Sequence, residues 1–205
     1  MRLLVHREGD LLGATETHVV HQANCITQGA RGVAAALFAR FPWSDVYARR
    51  ARGSGARDAP GSIAVRGDGG ARRWVVAVFG QVGPGKPRSK GQDTAARRLE
   101  YFEQGLRALA RLEGAESFAF PHLVGCGLAG GEWRDYEAAL ERFAGDVAPR
   151  PVVIYRLGGG GGGGGGGNAG EVGGAGGASG AKRAGDEGAE APAPAPAGKR
   201  ARADE

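Results

Sequence analysis

Short apolar runs alternate with apolar stripes of helical spacing over residues 1–157, and the pattern then stops. Residues 3–6 predict a first strand, left through Gly9-Asp10-Leu11-Leu12, and residues 17–22 predict a second. Val33, Ala36, Leu37 and Phe41 fall on one helical face, so a helix is expected over 33–40, broken at Phe41-Pro42-Trp43. A short helix is expected around 45–52, then a loop over 53–60. Strands over 62–66 and 74–79 flank the turn Gly67-Asp68-Gly69-Gly70. After a long loop over 80–92, Asp93 reads as the N-cap of a helix reaching Leu112, with Leu99, Phe102, Leu106 and Leu109 as its apolar stripe. Residues 117–120 predict a buried strand ended by Pro121. Residues 132–143 predict an amphipathic helix presenting Trp133, Tyr136, Leu140 and Phe143, and 152–157 the last strand. This alternation predicts an α/β fold with a mixed sheet flanked by helices. In such sheets ligands bind beyond the carboxyl ends of the strands.

Composition limits what can fold. Residues 158–167 are an unbroken glycine run, followed by Gly, Ala, Pro, Lys and Arg with almost no large apolar side chain. Such a segment buries too little surface to offset its ordering entropy. Residues 158–205 are therefore expected to be a disordered tail behind one domain, 1–157. The tail holds five basic and six acidic side chains, a charge of −1, so of the net +5 the domain carries +6. A basic domain suits a phosphate-bearing ligand, but clustered basic residues interleaved with aromatics are absent, which argues against nucleic acid as the partner. Lys182-Arg183 and Lys199-Arg200-Ala201-Arg202 fit a split import signal or a solvated linker. No run is long and apolar enough to span a bilayer. Two cysteines, Cys25 and Cys126, make no disulfide framework and read as small buried hydrophobes. A soluble protein of the cytoplasm or nucleus is expected.

Candidate chemistry lies in two glycine-bearing segments, each between a strand-like and a helix-like run. The first is His21-Gln22-Ala23-Asn24-Cys25 through Gly32-Val33-Ala34; the second is Val124-Gly125-Cys126-Gly127-Leu128-Ala129-Gly130. Glycines at such junctions let backbone N–H groups face an anion, and the helix behind adds partial positive charge. Two such loops on one domain point to a ligand with two phosphates. A third segment, Gly80-Gln81-Val82-Gly83-Pro84-Gly85-Lys86-Pro87, copies the spacing of a triphosphate-binding loop but fails chemically. Pro87 stands where a metal-holding hydroxyl is needed, and Pro84 removes a further donor. It is expected instead to be a mobile loop bordering the site, with Lys86 near a phosphate or merely solvated.

These segments, in order and at these separations, resemble the macro domain family, which binds ADP-ribose. Gly9-Asp10-Leu11 resembles its leading turn, His21-x-x-Asn24-Cys25 with Gly32-Val33-Ala34 its first loop, and Gly125 to Gly130 its diphosphate loop. Trp133, Glu137, Leu140, Phe143 and Val153-Ile154-Tyr155-x-Leu157 resemble the branch that acts on ADP-ribose-1″-phosphate. The resemblance implies a three-layer α/β/α domain. It also implies ligand contacts from Asp10, Leu11, Asn24, Gly32, Val33, Ala34, Val124, Gly125, Cys126, Gly127, Leu128, Ala129 and Gly130. Asp10 would accept from the adenine amine and Asn24 would position the distal ribose.

The implied activity is hydrolysis at the distal ribose, of the 1″-phosphate or of an ADP-ribosyl conjugate, with His21 and Asn24 catalytic and neither metal nor cofactor. A histidine near neutrality suits either proton role; His122 and Glu132 are the alternatives. The chain departs from the family in Ala30-Arg31-Gly32, where consecutive glycines are usual. It departs again where one branch keeps a lysine and an aspartate, positions that fall on Gly80 or Gln81 and on Ala129. A monomer is expected, with ADP-ribose, its 1″-phosphate or an ADP-ribosylated protein as partner; the rival reading is a module that reads ADP-ribose without turning it over.

Overall fold

The computed structural model describes residues 3–50, 57–67, 70 and 73–158. The expected tail, Gly158 apart, lies outside these residues, as do 51–56 and Asp68-Gly69 of the expected turn. Among the described residues six strands form one sheet: β1 (Leu4–Glu8), β2 (His18–Asn24), β3 (Ile63–Gly67), β4 (Trp74–Gln81), β5 (Phe118–Pro121) and β6 (Val152–Arg156). Their spatial order is β1-β6-β5-β2-β4-β3. The first five in that order run parallel, and only β3 is antiparallel, to β4. The carboxyl ends of β1, β5, β2 and β4 thus share one edge of the sheet, and the glycine-bearing segments that follow β2, β4 and β5 leave from that edge.

Strand alternation sorts side chains between two cores. Val20, Val76, Val78, Phe118, Phe120, Val152 and Ile154 face one side, beneath the apolar stripes of α2 (Ala95–Ala110) and α3 (Trp133–Asp146). Val19, Ala23, Val75, Ala77, Phe79, Ala119 and Val153 face the other, beneath Leu37 and Phe38 of α1 (Val33–Arg40). Both faces are buried, as parallel strands require. The result is the expected α/β/α sandwich over a mixed sheet.

The differences from the sequence reading have local causes. No helix forms at 45–50. Asp45 Oδ1 accepts from the amides of Tyr47 at 2.7 Å and Ala48 at 3.1 Å, closing a side-chain turn that competes with a helix. The N-cap of α2 is Thr94, whose hydroxyl accepts from the Arg97 amide, while Asp93 turns toward the preceding loop. β4 runs on to Gln81 through a bulge opposite β2, where Gln22 pairs with Val78 but Asn24 pairs with Gln81.

Candidate functional site

Asn24, the last residue of β2, builds the first loop. Its Oδ1 accepts from the Ile26 amide at 3.1 Å, the Thr27 amide at 2.8 Å and the Thr27 hydroxyl at 2.9 Å. Its Nδ2 and its backbone N–H both donate to the Tyr47 hydroxyl. Beneath the loop lies Arg50, which donates to the carbonyls of Asn24 and Thr27 at 2.7 Å each and pairs with Asp58. Its guanidinium sits 4.5 Å from the Tyr47 ring centroid. The loop ends at Gly32, which caps α1 without a side-chain hydrogen bond, so nothing from a side chain covers the first-turn amides.

The second loop follows β5. Reverse turns use the amides of Val124, Cys126, Gly130 and Gly131 internally. Those of Gly125, Gly127, Leu128 and Ala129 have no acceptor among the described residues. Gly125 has φ +74°, and a Cβ there would stand 2.2 Å from Cε1 of Tyr136 and 2.8 Å from Oε1 of Gln22. Only glycine fits both the backbone and the space. The two loops meet, since a Cβ on Gly32 would lie 3.5 Å from Cδ1 of Leu128. Two sets of open amides, separated in sequence by most of the domain, therefore share one place at the carboxyl ends of the adjacent strands β2 and β5.

Asp10 follows β1 on the same edge. It is exposed and caps the short 3₁₀ turn Leu11–Gly13, Oδ1 accepting from the Leu12 amide at 2.9 Å. Beyond the first loop, at the β4–β3 end, lies a cavity of about 410 Å³ lined by Cys25, Ile26, Asp58, Pro60, Val82 and Tyr101, among others.

Several expected roles change. His21 points into the α1 core, not toward the loops. Only 1% of it is exposed, its ring meets Phe38 edge-on at 5.5 Å, and its buried Nε2 has no partner. Burial pushes its pKa down to about 4 despite the Gln22 carbonyl at Nδ1, so it stays neutral and sealed from water at neutral pH. A ring so placed does not exchange protons with a bound ligand. Asn24 spends its oxygen and one amide hydrogen inside the loop, and is a loop-shaping residue first. The side chains of Leu11, Ala34 and Val124 are buried in the two cores, which leaves only their backbones to meet a ligand. Burial raises the Cys25 thiol to about 12 and the Cys126 thiol to about 11, so neither is a thiolate. His122 touches Trp133 and Arg156, and burial with that arginine lowers its pKa. Glu132 is exposed ahead of α3 and makes no capping hydrogen bond.

The segment over 80–87 is neither a phosphate cradle nor slack. The amides of Val82 and Gly83 donate inward to Asp93. Arg98, 2% exposed, pairs with both oxygens of Asp93 at 2.9 and 2.6 Å. It also donates to the carbonyls of Gly83, Gly85 and Lys86, and to Ala129 of the second loop. At Gly80 a Cβ would stand 2.6 Å from Gln22 Oε1, so any side chain there would displace the Gln22 amide. Arg98, Arg50 and Tyr47 escaped the sequence reading, which saw in Asp93 only a helix cap. One signal was present: Arg98 shares a helical face with Phe102, Gly105 and Leu109, all buried.

No family model matches the chain, and no curated relative matches it. Solved structures do. The macrodomain of Thermus aquaticus DarG is 26% identical with a TM-score of 0.53, the match covering 75% of this chain and 97% of that one. The macrodomain of Mycobacterium tuberculosis DarG is 23% identical with a TM-score of 0.56, covering 74% and 96%. A Trypanosoma brucei macrodomain in complex with ADP-ribose is 17% identical with a TM-score of 0.54, covering 75% and 63%. In architecture and in the strand edge from which its loops rise, this chain has the macrodomain fold.

Proposed function

We propose that the domain binds ADP-ribose and holds it without cleaving it. The observation that carries this reading is the junction of Gly32 and Leu128, where the open amides of the second loop meet the uncapped start of α1. A diphosphate there receives N–H donors from both sides and the positive end of a helix dipole. Sheet order supports the rest. Asp10 stands at the β1 end, where its carboxylate suits an exocyclic adenine amine. The distal ribose then falls toward β2 and β4, and the cavity beside Cys25 and Val82 lies further along the same row. A group attached to the distal ribose would enter it, which fits an ADP-ribosylated protein as well as the free sugar. The ADP-ribose bound by the Trypanosoma brucei macrodomain is in keeping with this ligand.

Hydrolysis of the 1″-phosphate or of a conjugate would have to draw its acid–base group from elsewhere than His21, which is walled into the core, or Asn24, which is committed to its loop. Calorimetric titration of the full chain with ADP-ribose tests the proposal. Binding is expected, and Asp10→Ala is expected to weaken it about tenfold or more, the size of one hydrogen bond to a charged group. Incubation with ADP-ribose-1″-phosphate is expected to release no phosphate. A folded wild-type protein that ignores ADP-ribose would refute the proposal, and phosphate release would restore the enzyme reading.

A further inference from the structure

Lys86 belongs to the segment that failed as a triphosphate loop, yet the fold carries it to the second glycine loop. β2 lies between β4 and β5 in the sheet, so the β4–α2 loop crosses above the end of β2 to reach residues 129–130. Arg98 fixes this crossing, since one guanidinium gathers the carbonyls of Gly85 at 2.6 Å, Ala129 at 2.9 Å, and Gly83 and Lys86 at 3.3 Å. The lysine stem then lies over Gly130: a Cβ there would stand 2.6 Å from Lys86 Cδ and 3.4 Å from Nζ, with Pro87 Cδ at 3.1 Å. Lys86 itself is exposed, and its ammonium pairs with no acceptor among the described residues. An unpaired cation is thus held over Gly130, the residue that follows the open amides of Gly127, Leu128 and Ala129 in the same loop.

We infer that Lys86 is a ligand-binding residue, contributing the mobile positive charge that pairs with the diphosphate of ADP-ribose from its distal-ribose side. This rests on the ADP-ribose reading above. Amides supply fixed partial charges; a lysine on a pinned loop adds a full one whose reach is set by its stem. Its contribution must fall with ionic strength, which the amide contribution does far less.

The full chain and its Lys86→Gln, Lys86→Arg and Lys90→Gln variants are titrated with ADP-ribose at low and high salt, alongside thermal unfolding. Glutamine keeps much of the stem over Gly130 but loses the charge. Lys86→Gln is expected to bind about tenfold more weakly at low salt, with the gap closing at high salt. Lys86→Arg is expected to stay near wild type, Lys90→Gln to bind normally, and all melting temperatures to match. Lys86→Gln binding as well as Lys90→Gln would overturn the assignment while leaving the ADP-ribose reading intact. A salt-independent loss with a lowered melting temperature would overturn it in favour of a packing role. Wild-type protein indifferent to ADP-ribose removes both proposals.

Discussion

Replacing Arg98 by methionine removes a buried charge while keeping most of the stem. In the folded protein Asp93 then remains buried, with its Val82 and Gly83 amides but without its cation, and the carbonyls of Gly83, Gly85, Lys86 and Ala129 lose a donor. Breaking a buried ion pair from one side costs about 3–5 kcal/mol. For a domain of this size that corresponds to a fall in melting temperature on the order of 10 °C. The pH dependence carries a second signature. Burial alone would raise the Asp93 carboxyl, but Arg98 and the two amides outweigh it and hold it below the ordinary carboxylate range. Its contribution is therefore complete above the unfolded pKa of about 4 and is lost as pH falls through the depressed folded value. In Arg98→Met the carboxyl rises instead, and protonation relieves the unpaired charge. The deficit relative to wild type is expected to be largest near pH 7 and to shrink below about pH 4. Urea unfolding across this range measures both. A variant melting within about 2 °C of wild type at pH 7, or a deficit indifferent to pH, would refute the reasoning.

Two further changes test other parts of the structure. The His21 ring has its pKa lowered from about 6.5 to about 4, so the folded state resists protonation; wild type should lose about 3 kcal/mol as pH falls between those values, and His21→Leu should show a shallower fall in urea titrations. Gly125→Ala forces a side chain into a left-handed backbone and onto the buried Tyr136 ring, so it should destabilise by about 3 kcal/mol or more by urea unfolding and abolish ADP-ribose binding.

What the sequence disclosed and what it hid follow from the range of the interactions. α1 appears at the expected 33–40 because its apolar spacing and the Phe41-Pro42 break are local. β4 and β5 were legible for the same reason, and so were the two glycine loops. Asp93 looked like a cap because a carboxylate ahead of an apolar stripe usually is one; only the fold brings the amides of Val82 and Gly83 to it, leaving Thr94 as the cap. His21 was assigned by its nearness to Asn24 along the chain. Nearness along the chain does not bring two side chains to one ligand: β2 seals His21 edge-on against Phe38, while Asn24, at the end of the strand, is spent on Tyr47 and the loop. Arg50 meets Asp58 and Asn24 through tertiary contacts that no periodicity announces.

The two buried arginines sort the polarity of the backbone around the junction. Arg50 draws in the oxygens of Asn24 and Thr27, and Arg98 those of Gly83, Gly85, Lys86 and Ala129. Carbonyl oxygens that would repel an incoming anion are thereby turned toward guanidinium groups, which carry five donors and no acceptor. The polarity of the two loops is consequently set by the fold itself, so the proposed ligand would meet donors already in place.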